Sequence, residues 1–438
     1  MRDGNVDDQP TGRLAGLWRR LVQHPLEKLG PGLITGVADD DPSGIATYSQ
    51  AGAQFGLDML WTLPLTYPLM AAVQSMCARL GRVTGKGLAA NIKAHFPPWV
   101  LWSVVVLLVI ADTLNIGADV AAMGESAQLV LGLDSRILTV AFALLTLSLQ
   151  LLVPYHRYVV FLKWLTLALL AYGVVLFTVR VPWGAVVAHT LYPRFKPTAT
   201  AATTVIAVFG TTISPYLFFW QASEEVEDME EAESPAGRQP LVEAPARARP
   251  ELRRIRWDTW SGMLYSNVAA YCIVLATAVT LHSAGITDIE TAAQAASALR
   301  PLAGGFASVV FTLGILGVGL IGVPVLAGAS GYAIAEAMGW PWGLERKATD
   351  ARGFYAVIAA GVLAGLVLEF TPISPMKALF WSAVINGVVA TPLVVVIVLL
   401  CRRSDVMGGF TVGRVIRTLG WITAAVMGAA SLGMFVLS

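Results

Sequence analysis

The chain has 438 residues, of which 56% are hydrophobic and only 13% are charged, and its formal net charge at pH 7 is +1. A soluble domain is less apolar and more charged, so this composition predicts an all-α polytopic membrane protein whose main partner is the lipid bilayer. The balanced charge gives no reason to expect a nucleic acid, and nothing in the sequence indicates an obligate protein partner.

Eleven apolar segments are each long enough to cross a bilayer core of about 30 Å, which takes roughly 20 helical residues. They lie at residues 31–56, 58–78, 99–131, 137–154, 158–180, 200–223, 259–282, 302–335, 353–370, 377–401 and 418–437. We predict a transmembrane domain over 31–438, after a cytoplasmic segment, 1–30, that lacks the apolar core of a signal peptide. Lysine and arginine concentrate after the even-numbered segments, so those loops are expected on the cytoplasmic side of a bacterial inner membrane.

The first segment is interrupted by the residues "GVADDDPSG". Pro42 lacks a hydrogen-bond donor, so residues 41–44 are expected to unwind and to free backbone carbonyls beside Asp41. An acid at membrane depth costs about 2.5 to 3.5 kcal/mol, which places Asp41 in a polar cavity near the midplane. A carboxylate beside free carbonyls predicts a cation site. Asp39 and Asp40 have two possible placements: they share this cavity, or they mark the cytoplasmic end of the helix.

The third segment, "IADTLNIGADVAAMGES", offers Asp112, Asn115, Asp119 and Glu125 within a few turns. Asp112 and Asp119 are seven residues apart and therefore share a helix face with Asn115 nearby. Two interpretations stay open. The acids line a polar path that serves transport or coupling, or they make structural hydrogen bonds to polar residues of the first and sixth helices.

The sixth segment repeats the pattern of the first. In "GTTISPYLFFWQ", Pro215 falls within the helix, so residues 211–214 are expected to unwind. Two interruptions that lie five helices apart are typical of a transporter built from two inverted repeats with its binding site at the midplane. We place the first repeat at about 31–180, the second at about 200–401, and an extra helix at about 418–437.

The sixth and seventh segments are joined by residues 224–257, which run from acidic to basic and contain four prolines at five-residue intervals. This composition predicts a mobile cytoplasmic linker. Glu224, Glu225 and Glu227 at its start are consistent with a cation vestibule or simply with a charged helix end. In the tenth segment, Asn386 is the sole strongly polar residue in the middle, and it lines the path or bonds a neighbouring helix.

Two stretches, "GPGLITGVADDDPSG" and "VQSMCARLGRVTGKGLA", resemble the NRAMP family of divalent metal transporters, which has a LeuT-like fold. The resemblance extends over all eleven helices and implies helices 1 and 6 unwound at mid-membrane. It also implies that Asp41 is the anionic ligand and that the carbonyls of Ala38 and Thr211 contribute. The family's Asp-Pro-Gly-Asn and Met-Pro-His motifs read Asp-Pro-Ser-Gly and Ser-Pro-Tyr here.

The departures from the family pattern bear on which ion is carried. Gly44 replaces the ligand asparagine, Ser214 replaces the methionine, and Tyr216 and Gln221 replace two histidines. Without the soft sulfur, the remaining oxygen ligands suit Mg²⁺, which keeps its waters, or Mn²⁺. The NRAMP-related magnesium transporters depart from the metal motif in a similar way. With the histidines gone and Asn115 in place of an acid, we expect uniport or weak proton coupling.

We therefore expect a carrier that moves Mg²⁺ and/or Mn²⁺ inward by alternating access and needs no cofactor. No motif of a hydrolase, a phosphate-binding loop or a metalloprotease is present, so an enzyme is not expected. Two alternatives remain. One is a LeuT-fold carrier of an organic cation or an amino acid, in which Asp41 pairs with an ammonium group. The other is a metal sensor that transports nothing and signals through the linker at 224–257.

Overall fold

The computed structural model describes residues 31–153, 168–194, 198–232, 235 and 237–437. Within them the secondary structure is helical, and the helices of eight or more residues are numbered in chain order. They are α1 (Pro31–Ala38), α2 (Pro42–Phe55), α3 (Thr62–Thr84), α4 (Leu88–His95), α5 (Pro98–Leu131), α6 (Ser135–Leu152), α7 (Leu170–Thr178), α8 (Trp183–Leu191), α9 (Ala199–Thr212), α10 (Pro215–Glu230), α11 (Ala248–Thr280), α12 (Ala307–Met338), α13 (Arg352–Gly365), α14 (Pro375–Arg402) and α15 (Arg414–Leu437).

Seven helical stretches in the described part of the chain are long and apolar enough to cross a membrane. They correspond to seven of the eleven predicted segments. The first segment is split into α1 and α2, the second is the more polar α3, and the ninth is the shorter α13. Most of the fifth segment, 158–180, lies outside the described residues, as does the predicted cytoplasmic segment 1–30.

The helices pack as two groups. In one group, α11 packs against α1, α2 and α3, and α10 packs against α3; in the other, α5 packs against α12, α6 and α13. The long helix α14 contacts α9, α5 and α2, and α15 covers α9 and α14 from outside. The two groups meet beside the gap between α1 and α2, so this gap lies at the centre of the molecule.

Glycines allow the helices around this centre to approach backbone to backbone. A Cβ atom on Gly36 of α1 would lie 2.3 Å from the backbone of Gly262 in α11. On Gly210 of α9 it would lie 2.0 Å from the carbonyl oxygen of Ala383 in α14. Distances this short leave no room for a larger residue at either crossing.

Both helix breaks are shorter than predicted and lie before their prolines. α1 ends at Ala38 and α2 begins at Pro42, so the first break covers residues 39–41 rather than 41–44. α9 ends at Thr212 and α10 begins at Pro215, so the second covers residues 213 and 214 rather than 211–214. The reason is that proline at the first position of a helix needs no donor and has its φ angle preset. Each proline therefore starts a helix instead of interrupting one.

The connection between the sixth and seventh membrane segments is also shorter than the predicted linker, 224–257. α10 continues to Glu230 and α11 already begins at Ala248. Between them, Leu241 is fully buried and its N–H donates to the carbonyl of Arg82 at 3.2 Å. The acidic and basic ends are helical because their charges pair with neighbouring helices, as described below. The mobility predicted for this connection stays a prediction.

Candidate metal site

Asp41 is the N-cap of α2 and lies in the first break with 1% of its surface exposed. Its Oδ1 atom accepts hydrogen bonds from Ser43 Oγ at 2.7 Å and from the backbone N–H of Gly44 at 2.8 Å. Its Oδ2 atom accepts from Asn115 Nδ2 at 2.9 Å. All of these donors are neutral, so they orient the carboxylate without cancelling a negative charge on it.

The two carbonyls predicted as ligands are each covered by a hydroxyl group from the start of α10 or the residue that caps it. Tyr216 Oη donates to Ala38 O at 3.1 Å and lies 3.5 Å from Asp41 Oδ2. Ser214 Oγ donates to Thr211 O at 2.8 Å. A hydroxyl can rotate and present its lone pairs instead of its proton. Both carbonyls and both hydroxyl oxygens can therefore face a cation after a small local rearrangement.

The polar residues predicted on the third membrane helix have different surroundings. Asn115 joins Asp41 to α14, because its Oδ1 atom accepts from Ser382 Oγ at 2.6 Å. Asp112 accepts from Ser330 Oγ of α12 at 2.7 Å. Asp119 is fully buried, and among the described residues no donor makes a hydrogen bond of good geometry to either of its oxygens. Asn115 therefore belongs to the network around Asp41, whereas Asp112 is tied to α12.

Asp39 and Asp40 lie inside the break and not at the surface, with 0% and 1% of their area exposed. Ser266 Oγ of α11 lies 2.6 Å from Asp39 Oδ2 and 3.0 Å from Asp40 Oδ1. A single hydroxyl therefore bridges the two carboxyl groups. Sequence reasoning missed Ser266, Ser330 and Ser382, and their signal was weak, since each is a small polar residue within an apolar helix.

Gln221 and Asn386 are buried but stay outside the hydrogen-bond network of Asp41. Both amide ends of each side chain lack a hydrogen-bond partner among the described residues. Asn386 lies one helical turn beyond Ser382 on the same face of α14, and Gln221 lies seven residues beyond Ser214 in α10. A role for either in a path stays a prediction.

The donor set around the first break consists of oxygen atoms. No cluster of three or more His, Cys, Asp and Glu residues suited to a metal ion occurs in the described ranges. The predicted ligands, the Asp41 carboxylate with carbonyl and hydroxyl oxygens, do not enclose an ion completely. Such a set suits a hard cation that keeps part of its water shell.

A cavity of about 320 Å³ leads toward this site from one end of the molecule. It is lined by α2, α9 and α14, and it reaches Ala46, five residues beyond Asp41. At its rim, Lys377 and Glu290 form an ion pair with a 2.8 Å separation. Because α14 runs from this rim to Arg402 at its basic end, the cavity opens at the end opposite the basic loops.

The other end is closed by charged side chains of α3, α10 and α11. Arg82 lies 3.1 Å from Glu251, and Arg254 lies 2.5 Å from Glu225. Arg82 and Glu225 are buried and their partners are partly exposed, so these pairs link the three helices at the boundary between the interior and the solvent. Glu227 accepts from Tyr332 Oη and from a backbone N–H. The acids at the end of α10 are therefore engaged in packing and do not form an open vestibule.

Comparison with known sequences decides the family. The sequence model described as "Natural resistance-associated macrophage protein-like", or Nramp, matches residues 32–437 of this chain. The chain belongs to the Nramp family. A divalent metal cation transporter MntH of Mesorhizobium japonicum is 27% identical to it, over 96% of this chain and 92% of the relative. MntH of Acidiphilium cryptum is 29% identical over 84% of each chain.

Solved structures agree with the Nramp assignment at the level of the fold. A manganese transporter of Eremococcus coleocola superposes with a TM-score of 0.75 at 16% identity, over 98% of this chain and 88% of the other. Mhp1, a nucleobase-cation-symport-1 family transporter in a closed conformation, superposes with a TM-score of 0.56 at 11% identity, over 93% and 92%. The predicted all-α LeuT-like fold is thereby confirmed. The relatives are transporters, which agrees at the family level with a chain that is not an enzyme.

The departures from the Nramp motifs have structural consequences in this chain. At Gly44, a Cβ atom would lie 3.3 Å from Thr211 Oγ1 and 3.4 Å from a ring carbon of Tyr48. The asparagine of the family motif would therefore have to displace a neighbour. Ser214 donates to carbonyls in the last turn of α9 and brings no sulfur to the break. The break in this chain therefore has little room beside Gly44, and its donor atoms are oxygens.

Proposed function

We propose that this chain carries a hard divalent cation, Mg²⁺ and/or Mn²⁺, into the cytoplasm by alternating access. The observation that carries the proposal is Asp41, a buried carboxylate between two broken helices whose hydrogen-bond donors are all neutral. A buried charge is costly unless it is paired, and a divalent cation supplies the pairing that these donors do not. The relatives named as divalent metal cation transporters support this substrate class.

The ligand chemistry supports Mg²⁺ or Mn²⁺ over softer ions. Asp41 supplies the charge, Ala38 and Thr211 supply carbonyls, and Ser214 and Tyr216 supply hydroxyl oxygens. Oxygen donors favour Mg²⁺ and Mn²⁺, whereas Cd²⁺ gains most from sulfur. An incomplete set of protein ligands also suits Mg²⁺, because this ion dehydrates reluctantly.

The arrangement of the helices supports a carrier that is open at one end at a time. The ion enters through the cavity between α2, α9 and α14, while the ion pairs of Arg82 and Arg254 close the other end. When the ion binds, it neutralises Asp41 and takes the carbonyls from the hydroxyls of Ser214 and Tyr216. Since these hydroxyls lie at the start of α10, ion binding alters the contacts of α10 with α1 and α9. With its basic loops in the cytoplasm, the carrier would mediate uptake across a bacterial inner membrane.

Proton coupling is expected to be weak or absent. Among the described residues, no histidine takes part in the hydrogen-bond network of Asp41, and the positions of two family histidines hold Tyr216 and Gln221. Asn115 cannot take up a proton near neutral pH. Asp112 accepts from Ser330 of α12 and not from a residue of the network around Asp41.

The test is ion uptake by the purified full chain in proteoliposomes, with Mg²⁺, Mn²⁺ and Ca²⁺ in separate runs and internal pH recorded. We expect Mg²⁺ or Mn²⁺ uptake without acidification, and its loss by at least about tenfold in Asp41→Ala because the charged ligand is gone. Asp350→Ala, which removes an exposed carboxylate, is the matched control and should behave like the wild type.

Several results would contradict the proposal. Uptake accompanied by a fixed ratio of protons would overturn uniport. Full uptake by Asp41→Ala would remove Asp41 from the site. An absence of flux for every divalent ion would favour an organic solute or a sensor, and flux by the purified chain without a partner excludes the sensor.

A further inference from the structure

A second feature lies far from the metal site, at the end of the molecule that carries the basic loops. A cleft of about 870 Å³ is formed by α3, α11 and α15. It is lined by five arginines, Arg79, Arg249, Arg253, Arg256 and Arg414, and we call it the arginine cleft. None of the described residues that line it is acidic. The cleft is therefore a strongly positive concavity.

The charges of α11 are sorted onto two faces. Glu251, Arg254 and Asp258 recur at helical spacing and pair with one another and with α3 and α10. Arg249 and Arg253, which recur with Arg256 on another face, form no ion pair within the described part of the chain. Packing thus neutralises one face, whereas the cleft face has no compensating acid among the residues that the structure describes.

Two other elements add donors to the same cleft. α15 begins at Arg414, and its first amides precede the earliest turn bond, from Arg417 N to Gly413 O. Unpaired amides and the helix dipole make such an end attractive to anions. On α3, Arg79 is held in place because its Nε donates to the carbonyl of Phe410 at 2.9 Å. Guanidinium groups and helix amides together are donors suited to a phosphate group.

The cleft also has an exposed apolar side. Val415 at its wall is 74% exposed, and Trp257, next to Arg256, is 64% exposed. α11 has 33 residues, about 50 Å of helix, so it is longer than the hydrocarbon core and its first turns lie at headgroup depth. An exposed tryptophan is typical of that depth.

We propose that the arginine cleft binds the headgroup of an anionic phospholipid of the cytoplasmic leaflet. The phosphate is held by Arg249, Arg253 and Arg256 together with the first amides of α15, and the acyl chains lie along the apolar wall at Val415. This site is separate from ion transport at Asp41. Because the headgroup contacts three helices at once, its binding also stabilises their association.

The test is native mass spectrometry of the detergent-purified full chain with phosphatidylglycerol and phosphatidylcholine of identical acyl chains. We expect the wild type to retain phosphatidylglycerol preferentially. In the triple variant Arg249→Gln, Arg253→Gln, Arg256→Gln, this preference should fall by about a hundredfold. The reason is that each arginine near an anionic headgroup adds a similar share of the binding free energy, and three such shares are lost together. The control Arg346→Gln, Lys347→Gln, Arg352→Gln removes three charges of another loop and should keep it. An unchanged preference in the first variant would overturn the proposal.

Two further arms complete the test. Inorganic phosphate and pyrophosphate at millimolar concentration distinguish a lipid from a soluble phosphate compound. If they bind and phosphatidylglycerol shows no advantage over phosphatidylcholine, the lipid assignment is wrong. If the triple variant fails to fold, the wild type is measured alone at increasing salt concentration. Its preference for phosphatidylglycerol should then fall steeply, because salt screens the attraction between the arginines and the headgroup. A preference independent of salt would show that the arginines are not its cause.

Discussion

At the scale of single residues, the central feature is how Asp41 is held before an ion arrives. Ser43 and Gly44 fix one oxygen from the same helix turn, and Asn115 fixes the other from α5. The orientation of the carboxylate therefore depends on two elements that lie far apart in sequence. Asn115 is itself fixed by Ser382, which extends the support to α14.

A first prediction concerns Asn115. Asn115→Ala removes a hydrogen bond to a buried carboxylate, an interaction worth about 1.5 to 3 kcal/mol. The KM for Mg²⁺ uptake should therefore rise by at least about tenfold. Thr113→Ala is the control, because the Thr113 hydroxyl only bonds a carbonyl of its own helix. An unchanged KM in Asn115→Ala would mean that this hydrogen bond does not position Asp41 for the ion.

A second prediction concerns the selectivity for hard ions. Ser214→Cys exchanges a hydroxyl for a thiol of similar size at the second break, so a soft ligand becomes available. Inhibition of Mg²⁺ uptake by Cd²⁺ should become stronger by about tenfold. Ser223→Cys, nine residues further along α10 where the hydroxyl bonds Glu336, is the control. If both variants respond equally to Cd²⁺, Ser214 does not face the ion.

At the scale of helices, the two breaks show what the sequence does and does not encode locally. An acid followed by proline in an apolar segment was sufficient to predict the break near Asp41, and the same logic located the one near Ser214. Their bounds were wrong because a proline that begins a helix and one that kinks it have the same local sequence. The partners Ser266 and Ser382 were not predicted, since they come from helices more than 200 residues away whose packing no local pattern specifies.

A third prediction concerns the packing of α12 against the first break. A Cβ atom on Gly322 would lie 3.0 Å from the Cβ of Asp41, so Gly322→Ala must shift the Asp41 side chain. Overpacking of this kind costs about 1 to 3 kcal/mol, and uptake should fall by about tenfold. In Gly314→Ala of the same helix, the new methyl meets only side chains, at 3.7 Å and 3.8 Å, and uptake should be unchanged. Equal uptake by the two variants at equal expression would show that a methyl group at position 322 does not displace Asp41 from its working position.

At the scale of the whole molecule, the two ends differ in how they approach Asp41. The cavity between α2, α9 and α14 approaches Asp41, whereas ion pairs join α3, α10 and α11 on the opposite side. The LeuT-like fold could be predicted from the two breaks and the family motifs, whereas the grouping of helices from both predicted repeats around α5 and α11 could not. The direction of opening was not, because it depends on long-range pairs such as that of Arg254 with Glu225.

A fourth prediction follows from this asymmetry. Thr203 lines the cavity, so the thiol of Thr203→Cys should react with a membrane-impermeant reagent added from the cavity side. Ser223 is fully buried behind the charged end, and Ser223→Cys should be protected from the same reagent on either side. Both are made with Cys272→Ala, because Cys272 is partly exposed while Cys77 and Cys401 are buried. Faster reaction of Ser223→Cys from the basic end would reverse the assigned direction of opening.

The most direct test of the central claim, that Asp41 binds a hard divalent ion between two broken helices, is anomalous diffraction from crystals of the protein soaked in Mn²⁺. The account predicts an anomalous peak in contact with Asp41 and between the ends of α1 and α9, and its disappearance in Asp41→Ala. A peak elsewhere in wild-type crystals with none at Asp41, or one that persists unchanged in Asp41→Ala, would contradict it.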